Sequence, residues 1–118
     1  MGQTNKVLVG QLEGALKGIK KIGNFVIAYE PVWAISTFQT GKIKKSASLD
    51  NIKKAHIFIK NWLKKRFKSQ SNKIKVLYGG TVTPQNSPEI FKLKVVDGAL
   101  VGAASLKASS FNAIIKFN

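Results

Sequence analysis

Cysteine is absent from this 118-residue chain and acidic side chains are scarce, with five Asp and Glu against twenty Lys and Arg. Without cysteine there is no disulfide framework and no thiolate metal site, a composition compatible with a reducing cytosol. No run approaches the roughly 18 consecutive apolar residues of a membrane span, so none is expected. The start of the chain, Gln3-Thr4-Asn5-Lys6, leads into an amphipathic stretch and not into the apolar core of a secretion signal. A cytoplasmic protein is the expectation that suits these absences. The apolar fraction of 44% argues against disorder, and the length suits one small domain, residues 1–118, with a modest core.

The periodicity alternates between helix and strand. Leu8, Leu12, Ala15, Leu16, Ile19 and Ile22 recur at helical spacing, and Gly23-Asn24 is expected to close that helix. Phe25 to Tyr29 is an unbroken apolar run of the kind found in a parallel strand covered on both faces. A second helix is expected from an N-cap at Ser46 or Ser48, with Ile52, Ala55, Ile59, Trp62 and Leu63 as its buried stripe. Ile74 to Tyr78 reads as the next strand. Thr83-Pro84 reads as a cap and first helical residue, with Pro88 limiting or distorting that short helix. Val95 to Val101 contains a third strand interrupted by Asp97-Gly98, and a last helix carries Phe111, Ile114 and Ile115. The order αβαβαβα predicts an α/β fold with a parallel sheet.

Among so few acids, Glu30 stands out. It follows an apolar strand and precedes Pro31, and a residue before proline is biased toward extended geometry. That puts a carboxylate at the strand's C-terminal tip, free to face a pocket, as a candidate catalytic base. The only histidine, His56, falls within the second helix, facing away from the strand tips, and is expected to be a structural or solvated helix residue.

The segment Ala28-Tyr29-Glu30-Pro31-Val32-Trp33-Ala34-Ile35 resembles the part of triosephosphate isomerases that carries the catalytic glutamate and opens the lid loop. Leu77-Tyr78-Gly79-Gly80-Thr81-Val82 resembles that family's Tyr-Gly-Gly-Ser-Val turn. Asp97-Gly98-Ala99-Leu100-Val101-Gly102-Ala103-Ala104-Ser105-Leu106 resembles its phosphate segment, and Gln11-Leu12-Glu13-Gly14-Ala15-Leu16 extends the likeness toward the start of the chain. The resemblance implies a partial (β/α)8 TIM barrel, the C-terminal half, with about three parallel strands and four helices, because a complete barrel takes about 250 residues.

It further implies interconversion of dihydroxyacetone phosphate and glyceraldehyde 3-phosphate, a step of glycolysis and gluconeogenesis, without a cofactor. Glu30 would move the proton, and backbone N–H groups at Ser36, Thr81, Gly102 and Ala103 would hold the substrate phosphate. The family's electrophilic histidine and substrate-binding lysine belong to the first half of its barrel. His56 is not the counterpart of that histidine. Activity is therefore expected to need a complementary N-terminal half-barrel, with self-association as the other way to cover the unpaired sheet edges; full-length members are expected to be homodimers.

Two substitutions depart from the family pattern at the phosphate site: Thr81 replaces a serine and keeps its N–H, whereas Ala103 replaces a glycine and adds a methyl group where the ligand approaches. In the lid, Ile35-Ser36-Thr37-Phe38-Gln39-Thr40 stands where the family has Ile-Gly-Thr-Gly-Lys-Thr, with extra residues around Gly41-Lys42-Ile43-Lys44-Lys45. If either lost glycine needs positive φ, a side chain there costs roughly 1 to 2 kcal/mol, about tenfold in lid populations.

The formal net charge of +15 is densest at Lys42-Ile43-Lys44-Lys45 and Lys64-Lys65-Arg66-Phe67-Lys68. Such a surface suits steering of anionic triose phosphates. It also suits an inactive barrel remnant acting as a basic module that binds nucleic acid nonspecifically.

Overall fold

The computed structural model describes residues 2–31 and 47–116. Among these residues four helices, α1 (Gln3–Ala15), α2 (Leu49–Phe67), α3 (Ser87–Phe91) and α4 (Ala108–Ile115), alternate with three strands, β1 (Val26–Tyr29), β2 (Lys75–Tyr78) and β3 (Gly98–Ala99). Short 3₁₀ turns at Lys68–Lys73 and Ala103–Leu106 follow α2 and precede α4. The sheet is parallel, in the order β1-β2-β3. Val26 pairs with Lys75 and Tyr29 with Tyr78, while Leu77 and Tyr78 pair with Gly98 and Ala99.

Helix α2 is the best built element. The Ser48 hydroxyl accepts the Asn51 N–H at 3.2 Å, a cap worth about 1 kcal/mol. Asp50 lies in the first turn and Lys64, Lys65 and Arg66 in the last, each sign opposite to the helix-end charge it meets. Its stripe lies on the sheet: Ile52, Ile59 and Leu63 are 1% exposed, each burial contributing roughly 1.5 to 3 kcal/mol. Trp62, expected in that stripe, is only half-buried at its edge.

Helix α1 is shorter than its apolar period predicts. It ends at Ala15, with Leu16 as C-cap, and the chain turns at Gly18, whose φ of +80° suits a residue without Cβ. Gly23-Asn24 therefore does not close the helix. Ile19 and Ile22 still pack on the core, but from the connecting segment, and the Ile19 carbonyl accepts from Arg66 at 3.3 Å, tying that segment to the end of α2.

The turn after β2 also differs from expectation. Thr83 does not cap a helix. Its N–H donates to the Asn86 side-chain oxygen at 2.8 Å and its hydroxyl accepts the Asn86 N–H at 3.2 Å, closing a turn. The helix starts later, with Pro88 near its N-terminus, where a missing N–H costs nothing. Pro88 starts this helix instead of distorting it.

Strand β3 is reduced to two residues because Asp97 replaces ladder pairing with side-chain bonding. Its carboxylate accepts the Val76 N–H at 2.8 Å while its own N–H donates to the Val76 carbonyl at 3.0 Å. Lys60 of α2 reaches both carboxylate oxygens at 3.1 and 2.9 Å. Burial alone raises the pKa of Asp97, but the Val76 N–H and the Lys60 ammonium outweigh it and hold the carboxyl below the usual range.

Side chains alternate across a strand, so the register sorts the sheet into two faces. Ile27, Tyr29, Val76 and Tyr78 face α2 and join the core clusters. Val26, Ala28, Lys75 and Leu77 point the other way; Val26 is 58% exposed, and Ala28 and Lys75 are exposed as well.

Candidate functional site

Glu30 directly follows β1. Continuing the alternation from Val26 and Ala28, it projects on the face of the sheet opposite α2. The Gly79 N–H donates to the Tyr29 carbonyl at 2.8 Å and so extends the ladder one step past the paired strands. Glu30 consequently lies over Gly79: a Cβ added to Gly79 would be 2.5 Å from the Glu30 Cγ and 3.1 Å from its Oε1. The exposed side chain lies over bare backbone, so the missing Cβ of Gly79 leaves the room it occupies without removing the carboxylate from solvent. Pro31, buried, closes the other side, and Glu30 lines two adjoining clefts against α1 of about 310 and 200 Å³, which Gln11 also lines.

Gly80 is required for a different reason. Its Cβ would collide with the hydroxyl end of Tyr78, whose ring turns back beneath it. The paired glycines are thus two separate close approaches, one to the carboxylate and one to a core ring. A doubled glycine after an apolar strand signals such a tip, but sequence does not reveal which side chains approach.

Thr81 lies two residues beyond Gly79, in the loop that the Asn86 side chain pins by donating to the Thr81 carbonyl at 2.9 Å. Asn86 was not singled out from sequence, although an Asx-type turn residue three positions after a threonine was a usable signal. Gly102 and Ala103 follow β3 at the start of the 3₁₀ turn, both exposed. The Gly102 carbonyl accepts from the Ser105 N–H and hydroxyl at 2.9 and 2.6 Å, whereas no backbone bond among the described residues uses the N–H of Gly102. A Cβ on Gly102 would meet nothing within 4 Å, so its value lies in access and not in steric fit. Because the strands are parallel and adjacent, the loops carrying Glu30, Thr81 and Gly102-Ala103 all leave the same edge of the sheet. Ser36 and the rest of the lid segment lie outside the described residues.

His56 belongs to the other face. It is fully buried, with its ring edge-on to Tyr29 at 5.9 Å between centroids and tilted against Tyr78 at 6.4 Å. It is therefore structural and not solvated, and it sits beneath the last residues of β1 and β2, closer to the strand ends than its place in the helix implied. Among the described residues neither ring nitrogen has a hydrogen-bond partner within bonding geometry. Burial lowers its pKa to about 4, with a smaller opposing effect from the Val95 backbone and lesser influences from Lys60 and Asp97. The same burial raises the pKa of Tyr29 and Tyr78.

Comparison with known proteins decides the relationship. The family model for triosephosphate isomerase matches residues 1–118. This chain belongs to the triosephosphate isomerase family. The triosephosphate isomerase of Bradyrhizobium diazoefficiens is 45% identical over 115 residues, which cover 98% of this chain and 43% of that protein. That of Bartonella tribocorum is 46% identical over 105 residues, 89% of this chain and 39% of its own length. The crystal structure of triosephosphate isomerase from Bartonella henselae superimposes with a TM-score of 0.80 and 38% identity, covering 96% of this chain and 43% of that one. The chain thus spans under half the length of these relatives. The fold expected from the triosephosphate isomerase resemblance is borne out: three parallel strands in an open sheet and four helices, part of a TIM barrel. No helix among the described residues is long and apolar enough to cross a membrane, and no group of three or more His, Cys, Asp or Glu among them is arranged to hold a metal ion.

Proposed function

We propose that this chain supplies the proton-transfer base and part of the phosphate site of a triose-phosphate isomerase, interconverting dihydroxyacetone phosphate and glyceraldehyde 3-phosphate in the cytoplasm. The observation that carries the reading is the seating of Glu30 on Gly79, at the edge of the sheet from which the loops of Thr81, Gly102 and Ala103 also leave. A base works only within hydrogen-bond reach of the proton it takes, and the room above Gly79 lets the carboxylate stand at that edge.

Glu30 removes a proton from the hydroxyl-bearing carbon beside the substrate carbonyl and returns it to the former carbonyl carbon, while the hydroxyl proton passes to the former carbonyl oxygen, so that aldehyde and ketone exchange and no cofactor is consumed. The N–H groups of Ser36, Thr81, Gly102 and Ala103 hold the phosphate without charge, as donors in loops and at the start of a helical turn can. Ala103 narrows the approach by one methyl group. The electrophile that polarises the carbonyl comes from another polypeptide segment, since His56 is buried on the opposite face. The exposed face of Val26 and Ala28 and the free edges of β1 and β3 are where complementary strands of a barrel add; assembled barrels pair as homodimers.

The test is an isomerase assay on the chain alone and mixed with a separately expressed first half of a related barrel, with Glu30→Asp as control. Activity that emerges only on mixing and collapses in the control is the expected result. Inactivity in a mixture shown by ultracentrifugation to have assembled would overturn it.

A further inference from the structure

Lys75 opens β2 at the end of the sheet remote from Glu30. The alternation that sends Val76 and Tyr78 to α2 turns Lys75 to the opposite face, with Val26, Ala28 and Leu77. Lys75 is the register partner of Val26, so the two stand side by side on neighbouring strands about 5 Å apart. Val26 is 58% exposed, and strands that cover it necessarily cover Lys75 as well. Inside a barrel such positions become a layer of packed side chains, where a lysine is almost never enclosed without a partner of opposite charge.

This chain supplies no such partner from its five acidic side chains. Asp50 pairs with Lys54 and Glu89 with Lys92, both in exposed helix pairs. Asp97 lies on the α2 side, where Lys60 and the Val76 N–H take its carboxylate. Glu30 stands at the far end of the strands, roughly 13 Å along β1 from Val26, and Glu13 lies on α1. Among the described residues no ion pair reaches Lys75. A second copy would bring the same Lys75 and a further net charge of +15, adding repulsion where attraction is needed.

We infer that the partner completing this sheet is not a second copy but an acidic half-barrel, with a carboxylate in its inner layer that pairs with Lys75. The inference rests on the barrel completion proposed above and adds the chemistry of the partner. A carboxylate opposite Lys75 satisfies the enclosed ammonium, whereas an apolar or basic side chain there leaves it buried and unpaired, and a penalty of that kind selects which chains can join. The net charge acts in the same sense at longer range, drawing an acidic chain to the open face.

The test mixes the full chain with the separately expressed first half of a related barrel and reads two quantities. Assembly affinity is measured by analytical ultracentrifugation, and a carbodiimide, which joins a lysine directly to a carboxylate in contact with it, is followed by peptide mapping. Lys75 is expected to become joined to an Asp or Glu of the first half. Lys75→Glu is expected to weaken assembly about hundredfold or more, with Lys75→Gln between it and the parent, while the melting of each variant alone stays unchanged because Lys75 is exposed there. Equal losses in the two variants would assign the effect to packing and overturn the inference, as would an assembled barrel that tolerates Lys75→Glu or in which Lys75 meets no carboxylate; in each of these the completed barrel itself still stands. A parent chain that fails to assemble with the first half, or that pairs with itself instead, would overturn the inference and the barrel completion together.

Discussion

The two faces of the sheet contrast sharply. Against α2, Ile27, Tyr29, Val76 and Tyr78 meet Ile59, Leu63 and His56 in close packing, and Val76 and Tyr78 are wholly buried. On the opposite face Val26 and Ala28 are exposed, and Glu30 stands beside them. The core therefore lies on one face, and the face proposed for chemistry is the other, joined by strands no more than four residues long. A substitution should act on one property or the other according to the parity of its position.

The strongest way to break this comparison is at Glu30. In the mixed, assembled barrel, Glu30→Gln removes the base but keeps the shape, and turnover should fall by roughly 10² to 10⁴ fold, the usual contribution of a positioned base. Thermal melting of the chain should stay unchanged, since the side chain is exposed. A loss of melting temperature equal to that of a core variant would show that Glu30 also carries stability.

The converse is Leu63→Ala. Leu63 is 1% exposed between α2 and the sheet, and truncation of such a leucine costs about 2 to 5 kcal/mol. Urea denaturation should show the chain largely unfolded, with the remaining folded fraction still competent once assembled. Intact stability would mean that α2 does not hold the sheet.

His56 sharpens the comparison by pH. Its folded-state pKa of about 4 lies below the ordinary 6.5, so the unfolded chain takes up the proton first. Stability is full above about pH 6.5 and declines as the pH falls toward 4, by about 3 kcal/mol if the whole difference is expressed. The groups facing the ring are Tyr29, Tyr78, Lys60 and Asp97, and the two tyrosines remain neutral throughout this range. His56→Leu should flatten the slope with little loss at pH 7, because replacing an unpartnered buried polar group by an apolar one is nearly neutral. Asp97, whose pKa is lowered, adds a separate loss at still lower pH, which the variant should retain. An unaltered slope between pH 6.5 and 4 in His56→Leu would assign the acid sensitivity to other groups.

How far the sequence reveals this arrangement depends on whether a feature is periodic or made by contact. The apolar period and the Ser48 cap yield α2, and the apolar runs yield β1 and β2, because each element carries its own signal along the chain. Helix α1 is misjudged because Ile19 and Ile22 keep helical spacing while Gly18 turns the backbone; burial continues where the helix does not. Strand β3 lies within the expected Val95 to Val101, but Gly98 belongs to it instead of interrupting it, and the Asp97 carboxylate takes the Val76 N–H just before it. At the site, Glu30 is legible from its place between a strand and Pro31. Asn86, three residues after Thr83, left a local signal that was not used, whereas the approach of Glu30 to Gly79 is not legible, since it is a contact between residues distant in sequence. The isolation of His56 inside an aromatic pocket is likewise a property of three elements together.

Gly79→Ala tests the junction of the two faces. The added methyl would stand 2.5 Å from the Glu30 Cγ, too close for any real pair of carbons, but its neighbour is an exposed, flexible side chain and not the core. Glu30 should swing aside at modest cost, so that stability changes by less than about 1 kcal/mol, the lower end of what overpacking costs. Turnover of the assembled barrel should nevertheless fall about tenfold, since small misplacements of a base are expensive. The loss should lie in kcat and not in KM, because the phosphate donors are untouched. A KM effect instead would mean that the carboxylate helps to seat the substrate, and an unfolded variant would place Gly79 with the core after all.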